Sequence, residues 1–375
     1  MAQNFWASLR KIISTADGLN ISENTCHDCE LNSSVVGSPA ENAKPWFGSR
    51  YAPWSIPSKR IQTHQHNDRY RGQFFYLCDG SINLNTHEWA IAKYYFNDFT
   101  PRTNGLDIEY PKWCNLGEDM RLPWDPAWRH ADDADSYTTL VEKDTGKCFL
   151  IWKTRYDAAR NVMRCNTATV VMAGYKPRGG PIANIWTKGN GFEPSAAAGI
   201  ALPHMLVTRE EIDAGVIPHC LRLALPKPSR DTRFNPATKS IGRTGSAEPD
   251  RLGTGVRIAF DSLSHLDIDL WSEEFPDQAG RHLATIGRAV KDYGFLVVDN
   301  GGNERRKRGS VYFENNLSAN WDELGLTRDL TLKALYSLLQ PNLGKMRILA
   351  EPEFPEGDFN RTARYPGIDY PDDLI

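Results

Sequence analysis

The sequence lacks a surplus of either charge. Among its 375 residues, 44 Lys and Arg stand against 47 Asp and Glu, which gives a net charge of −3. Because phosphate binding needs a basic surplus or patch, we expect neither a nucleic acid nor an anionic membrane as a partner. With 40% hydrophobic and 24% charged residues, the composition also excludes collagen, coiled coil and wholesale disorder, and it suffices to bury a core.

Long apolar runs and a regular set of cysteines are also missing. No run approaches the ~20 residues that cross a bilayer, and the N-terminal sequence has no continuous apolar region of the secretory type. We therefore expect a protein of the cytoplasm or of a virion. The seven cysteines are odd in number and scattered, which argues against a disulfide framework. Cys26 and Cys29 form a lone C-x-x-C pair, without the second pair of a structural zinc site.

Several motifs of nucleotide and hydrolytic chemistry are missing as well. The sequence contains no G-x-G-x-x-G after a strand, no G-x-x-x-x-G-K-[ST], no G-x-S-x-G and no H-E-x-x-H. We therefore expect no cofactor and no metal, with one alternative. The acidic segment from His130 to Asp135 offers oxygen ligands of the kind that calcium prefers; its other interpretation is a solvated turn.

Short strand-like segments are plentiful. The clearest pair lies on either side of Asp144-Thr145-Gly146, whose turn chemistry predicts a β-hairpin. Strands rich in β-branched and aromatic residues, separated by Pro and Gly, favour an all-β, mostly antiparallel fold, a β-sandwich or jelly roll with a few short peripheral helices. The predicted strands are 87–96, 137–142, 148–152, 167–173, 219–225, 256–260, 295–299, 310–313 and 347–350.

Helical patterns are few. Thr208 and Glu211 form a capping box that predicts a short helix before Gly215. Residues 277–293 carry apolar side chains at spacings of three and four, which is typical of a helix packed on a sheet, and 329–339 is a third candidate. We predict an N-terminal arm and linker over 1–45, the β-sandwich domain over 46–350 and an extended tail over 351–375.

The most distinctive candidate residues lie where a capped helix leads into an apolar strand. Strict alternation places His219 with Leu221 and Leu223 on one face, and Arg222 on the other. His219 is a candidate catalytic base; the alternative is a core histidine bonded to backbone. Further along, Tyr293 and Asp299 are predicted to share a strand face, although Asp299 has the alternative role of capping the Asn-Gly-Gly turn.

These residues fit two carbohydrate chemistries. A polysaccharide lyase would use Arg222 or Arg257 to neutralise a uronate carboxylate, and His219 or Tyr293 to remove the adjacent proton. A glycoside hydrolase would instead use paired carboxylates, for which Asp135 and Asp299 are the candidates. Aromatic rings stack on the apolar faces of sugars, and the candidate substrate-binding residues are Trp152, Trp89 and His204.

Several segments together resemble a known family. They are PWSIP, the hairpin KDTG–CFLIW after Asp135, TREEIDAGVIPHCLRLALP, FNPATKS, GVRIAFD and YGFLVVDNGG. Their order is similar to an uncharacterised family of bacterial β-sandwich proteins, many of whose members are secreted and joined to carbohydrate-binding modules. The resemblance covers roughly residues 50–350 and implies a β-sandwich with a link to carbohydrate. We therefore expect a polysaccharide or glycan as the partner. The alternative is a non-catalytic glycan-binding or virion module.

Overall fold

The computed structural model describes residues 52–77, 82–111, 114, 116, 119–172, 198–200, 203–226, 228–229, 232–237, 240, 252–301, 308–353 and 364–370. The strands are β1 (Ile82–Asn85), β2 (Ala92–Phe96), β3 (Gly105–Ile108), β4 (Thr138–Glu142), β5 (Lys147–Trp152), β6 (Arg155–Asp157), β7 (Val162–Cys165), β8 (Thr167–Met172), β9 (Leu221–Leu225), β10 (Arg257–Ala259), β11 (Phe295–Asn300), β12 (Gly309–Tyr312) and β13 (Arg347–Ile348). The helices are α1 (Asn67–Leu77), α2 (Arg209–Asp213), α3 (His265–Ser272), α4 (Asp277–Asp292), α5 (Asn316–Ala319) and α6 (Arg328–Leu339).

These strands form three sheets. The large sheet has six strands in the order β1-β12-β9-β11-β10-β13, with β1–β12 and β9–β11 parallel and the other pairs antiparallel. A four-stranded sheet has the order β2-β4-β5-β8, and a three-stranded sheet the order β3-β7-β6. Each of these also mixes parallel and antiparallel pairs.

The predicted all-β sandwich or jelly roll is therefore wrong. One face of the large sheet is covered by helices and not by a second sheet: Leu283 of α4 and Leu335 of α6 share a buried cluster with Leu223 of β9 and Val297 of β11. The strand β9 is buried along its whole length, which is typical of a parallel strand covered on both faces. The fully apolar runs that suggested a sandwich are the central strands of a mixed sheet.

The predictions of one hairpin, one capping box and two helices are confirmed, in contrast to the predicted arrangement of layers. The hairpin β4–β5 has its predicted pairing, with Thr138 opposite Ile151. The capping box of α2 is present, and Thr208 accepts a hydrogen bond from the Glu211 amide. The predicted helices over 277–293 and 329–339 are α4 and α6. Among the residues that the structure describes, no helix has the length and apolar character needed to cross a bilayer.

Two terminal predictions have different outcomes. The arm over 1–45, including Cys26 and Cys29, lies outside the described residues. In the predicted tail, Glu353 pairs with Arg364 in an antiparallel bridge. Tyr365 is buried beside Ile61, so this part of the tail contributes to the core.

Candidate functional site

Arg222 lies at the centre of the large sheet on the face away from the helices. The predicted alternation of β9 is confirmed, because Leu221 and Leu223 contribute to the helix-covered core while Cys220 belongs to a cluster on the other face. The antiparallel register of β9 and β12 places Tyr312 across from Arg222, and the guanidinium carbon lies 5.5 Å from the centre of the phenol ring. An arginine over an aromatic ring gains a cation–π attraction that strengthens with desolvation.

Both members of this pair are deeply buried. Arg222 is 1% exposed and Tyr312 is 8% exposed. Burial lowers the pKa of Arg222, and the neighbouring Tyr312 and Asp299 act in the opposite direction. Burial also raises the pKa of Tyr312 well above its ordinary value, and the negative charges of Asp299 and Asp135 raise it further, against the effect of Arg222. The carboxylates of Asp299 and Asp135 thus both raise the pKa of the Tyr312 phenol.

Asp299 lies on the same face of the sheet as Arg222 because strand β11 contains a bulge. Sequence alternation predicts that Asp299 shares a face with Phe295 and Val297, and this is wrong. The register shifts between Val297 and Asp299, so that Val297 lies opposite Leu223 whereas Asp299 lies opposite Ala224. The extra residue of a bulge turns the side chains that follow to the other face. The turn-capping role also has support, because the Asn300 amide donates to the Asp299 carboxylate at 2.7 Å.

Two aromatic side chains are linked to Asp135, one directly and one through the first. The Trp152 indole N–H donates to the Asp135 carboxylate at 3.3 Å. The ring of Tyr137 stacks on Trp152 with 6.5 Å between centroids and 25° between planes. Burial raises the pKa of Asp135, the Trp152 hydrogen bond lowers it, and the charge of Asp133 raises it. We call Arg222, Tyr312, Asp299, Asp135, Trp152 and Tyr137 the Arg222 cluster.

The acidic segment that suggested calcium is a structured turn. The carboxylate of Asp133 accepts the amides of Asp135 and Ser136 on one oxygen and the amide of Trp89 at 2.9 Å on the other. Backbone N–H groups therefore engage three of its about four lone-pair sites. Among the described residues, no group of three metal-ligating side chains comes together. Trp89 has a φ of 56° and is 42% exposed, so the Asp133 bond supports a left-handed residue that presents its indole to solvent.

His219 lies outside the Arg222 cluster and is 1% exposed. Its Nε2 is 3.0 Å from a carboxylate oxygen of Glu211, and its Nδ1 is 2.9 Å from the carbonyl oxygen of Cys220. Two acceptors facing two ring nitrogens favour the doubly protonated imidazolium. Burial lowers the pKa of His219, but Glu211 and these hydrogen bonds outweigh burial and raise it. This is the core-histidine alternative, with an ion pair added.

The remaining candidates are also buried. Arg257 donates to the carbonyl oxygens of Pro53 at 2.6 Å, Ile56 at 2.5 Å and Tyr293 at 2.9 and 3.1 Å. Tyr293 itself is 1% exposed. His204 packs on a buried tryptophan and is 4% exposed. The guanidinium of Arg257 thus ties the start of the described chain to the end of α4.

Sequence reasoning missed a buried charge group that links two sheets. Lys93 on β2 has a side chain 1% exposed; its ammonium bonds Glu210 and lies 3.3 Å from Glu314, which follows β12 and is 3% exposed. Burial raises the pKa of Glu314, whereas the charge of Lys93 lowers the pKa of Glu210 against the effect of its burial. The available signal was a lysine inside an apolar strand. Because Lys93 and Glu314 are closed to solvent, we assign the group a structural role.

Comparison with known proteins does not assign this chain to a family. No protein family, curated protein or solved structure matches this chain.

Proposed function

We propose that the protein is carbohydrate-active and that it binds a glycan at the Arg222 cluster. The observation that carries the proposal is the hydrogen bond from Trp152 to Asp135, with Tyr137 stacked on the same indole. Sugar rings pack their apolar faces on such aromatic rings, while their hydroxyls donate to carboxylates. The resemblance to proteins joined to carbohydrate-binding modules supports the same proposal, although its implied sandwich is not the fold.

Hydrolysis fits the cluster better than elimination. The proposed lyase bases His219 and Tyr293 are each 1% exposed, and the guanidinium of Arg257 is engaged by carbonyl oxygens. Asp135 has a raised pKa, which suits a general acid that protonates the leaving oxygen of a glycosidic bond. Asp299 would be the second carboxylate, acting on water or on the sugar. The products are a new reducing end and a new hydroxyl.

The test is a panel of neutral and uronate-containing polysaccharides. We would follow new reducing ends and, in parallel, the ultraviolet absorbance of unsaturated uronate. Reducing ends without absorbance support the hydrolase. Absorbance together with reducing ends would contradict it and indicate a lyase.

Asp135→Asn is the first informative variant. We expect it to reduce the release of reducing ends by about 10² to 10⁴-fold, because the amide cannot supply the proton. Asp132→Asn is the matched control, since the Asp132 side chain is 94% exposed and lies three positions earlier on the same turn. Equal activity of the two variants would contradict the role of Asp135.

A non-catalytic glycan-binding or virion module is the second candidate. It is favoured by the position of His219, which a binding module would bury in its core, and by the exposed indole of Trp89. Such a module would retain a polysaccharide in affinity electrophoresis and release no reducing ends. In either case we propose a location in the cytoplasm or in a virion, with a glycan as partner and neither nucleic acid nor membrane.

A further inference from the structure

A separate cleft of about 650 Å³ lies between helix α2 and one face of α4. The turn between α3 and α4 forms a third side, with Glu273 and Phe275 among the lining residues. None of its lining residues belongs to the Arg222 cluster. Its volume is within the range of roughly 300–1,000 Å³ that is typical of small-molecule sites.

Two glycines account for the shape of this cleft. Helix α2 has only five residues and is followed by Gly215, which has a φ of 72° and open space where a Cβ would stand. On the opposite side, a Cβ on Gly280 would lie 2.6 Å from the carbonyl oxygen of Ser272. The missing side chain therefore lets the α3–α4 turn approach α4 closely. One wall stays open while the other is tightly packed.

The floor of the cleft is buried, and its largest aliphatic side chain is that of Ile212. Ile212, Ala284 and Thr285 are 1%, 4% and 3% exposed. His282 also lines the cleft, and its Nδ1 lies 2.8 Å from the carbonyl oxygen of Leu324. A carbonyl can only accept, so Nδ1 carries the hydrogen of this bond.

The charged side chains around the rim differ in whether they form ion pairs. Arg288 is held by Asp269 at 2.5 Å, and Asp213 lies 3.4 Å from Arg209. Three further charged residues line the cleft, namely Glu273, Asp277 and Arg281. Within the part of the chain that the structure describes, their side chains have no ion pair within 4.0 Å. The cleft therefore offers two carboxylates and one guanidinium to a ligand.

We propose that this cleft binds a small zwitterion of the α-amino acid class with an apolar side chain. The ammonium group would meet Glu273 and Asp277 at the exposed rim, and the carboxylate would meet Arg281, since opposite charges attract. The apolar side chain would lie against the half-buried ring of Phe275. This site is independent of the proposed glycan activity.

Matched compounds test the class of ligand by titration calorimetry on the full chain. The first set is L-phenylalanine, phenethylamine and 3-phenylpropanoate; the second is L-leucine, 3-methylbutylamine and 4-methylpentanoate. We expect each amino acid to bind about tenfold more tightly than its single-charge analogues, which lose a charge-assisted hydrogen bond. No binding by either amino acid, or equal binding by the amine alone, would overturn the proposal.

Variants of neighbouring residues test the location. Glu273→Gln and Arg281→Gln are each expected to weaken the binding of L-phenylalanine about tenfold. Glu274→Gln is the control, because Glu274 is exposed and adjacent in sequence but does not line the cleft. If the Glu273→Gln and Glu274→Gln variants bind L-phenylalanine with the same affinity, the cleft is not the binding site. Because all three residues are exposed, these variants are expected to unfold at the wild-type denaturant concentration.

Discussion

Replacing His219 by alanine is expected to lower the free energy of unfolding by about 3–5 kcal/mol, the range seen when one partner of a buried ion pair is removed. The change leaves the Glu211 carboxylate, which is 6% exposed, without the imidazole that faces it at 3.0 Å. It also removes the bond to the Cys220 carbonyl at the start of β9. Urea unfolding of the variant and the wild type measures the difference.

The pH dependence of this difference follows from the raised pKa of His219. A histidine with a raised folded pKa contributes stability that is fully present below its unfolded pKa of about 6.5 and is lost as pH rises through the folded value. The difference in unfolding free energy between wild type and His219→Ala should therefore narrow as pH rises above about 6.5. The control is His265→Ala, because His265 is 44% exposed in its pair with Asp292 and should cost only about 1 kcal/mol or less. A gap that widens with pH would contradict the ion pair.

Replacing Lys93 by methionine is expected to have an effect of similar size, about 3 kcal/mol or more, because it leaves the buried carboxylate of Glu314 uncompensated. Burial lowers the pKa of Lys93, but Glu314 and Glu210 outweigh burial and raise it above its ordinary value. The lysine is therefore charged in the folded protein at neutral pH. The same urea experiment measures the loss.

A double variant separates charge from packing. Adding Glu314→Gln to Lys93→Met removes the unpaired carboxylate, and most of the lost stability should return. Lys143→Met is the matched control: Lys143 is exposed and lies 4.2 Å from the centre of the Tyr95 ring, so its loss should cost about 1 kcal/mol or less. If the double variant is no more stable than Lys93→Met, the unpaired charge is not the cause.

The local structure was predictable from sequence where short-range chemistry decides it. The capping box of Thr208 and Glu211, the helix over 277–293 and the turn at Asp144-Thr145-Gly146 all follow from residues within a few positions of one another. The arrangement of layers was not predictable in this way. Strand β1 pairs with β12, more than two hundred residues later in the chain, and an apolar strand has the same composition whether a sheet or a helix covers it.

The candidate site, too, was only partly predictable from the sequence. Alternation alone placed Arg222 and His219 on opposite faces, and the hydrogen bond from Trp152 to Asp135 spans only the predicted hairpin region. The position of Asp299 depends on a bulge that no residue type signals, and the partnership of Arg222 with Tyr312 depends on strand register. Glu314 and Lys93 carry a signal only as charges next to apolar runs, and their meeting requires two sheets to pack together.

The most direct test of the proposed glycan site is retention on a glycan array by wild type, Trp152→Ala and Trp128→Ala. Trp128 stacks on Tyr94 in a different aromatic group and serves as a matched tryptophan control. The stacking of a sugar on the indole is lost with the ring, so wild type and Trp128→Ala should be retained by the same glycan while Trp152→Ala is released. Equal retention of the wild type and both variants, or retention of none of the three proteins by any glycan, would contradict the account.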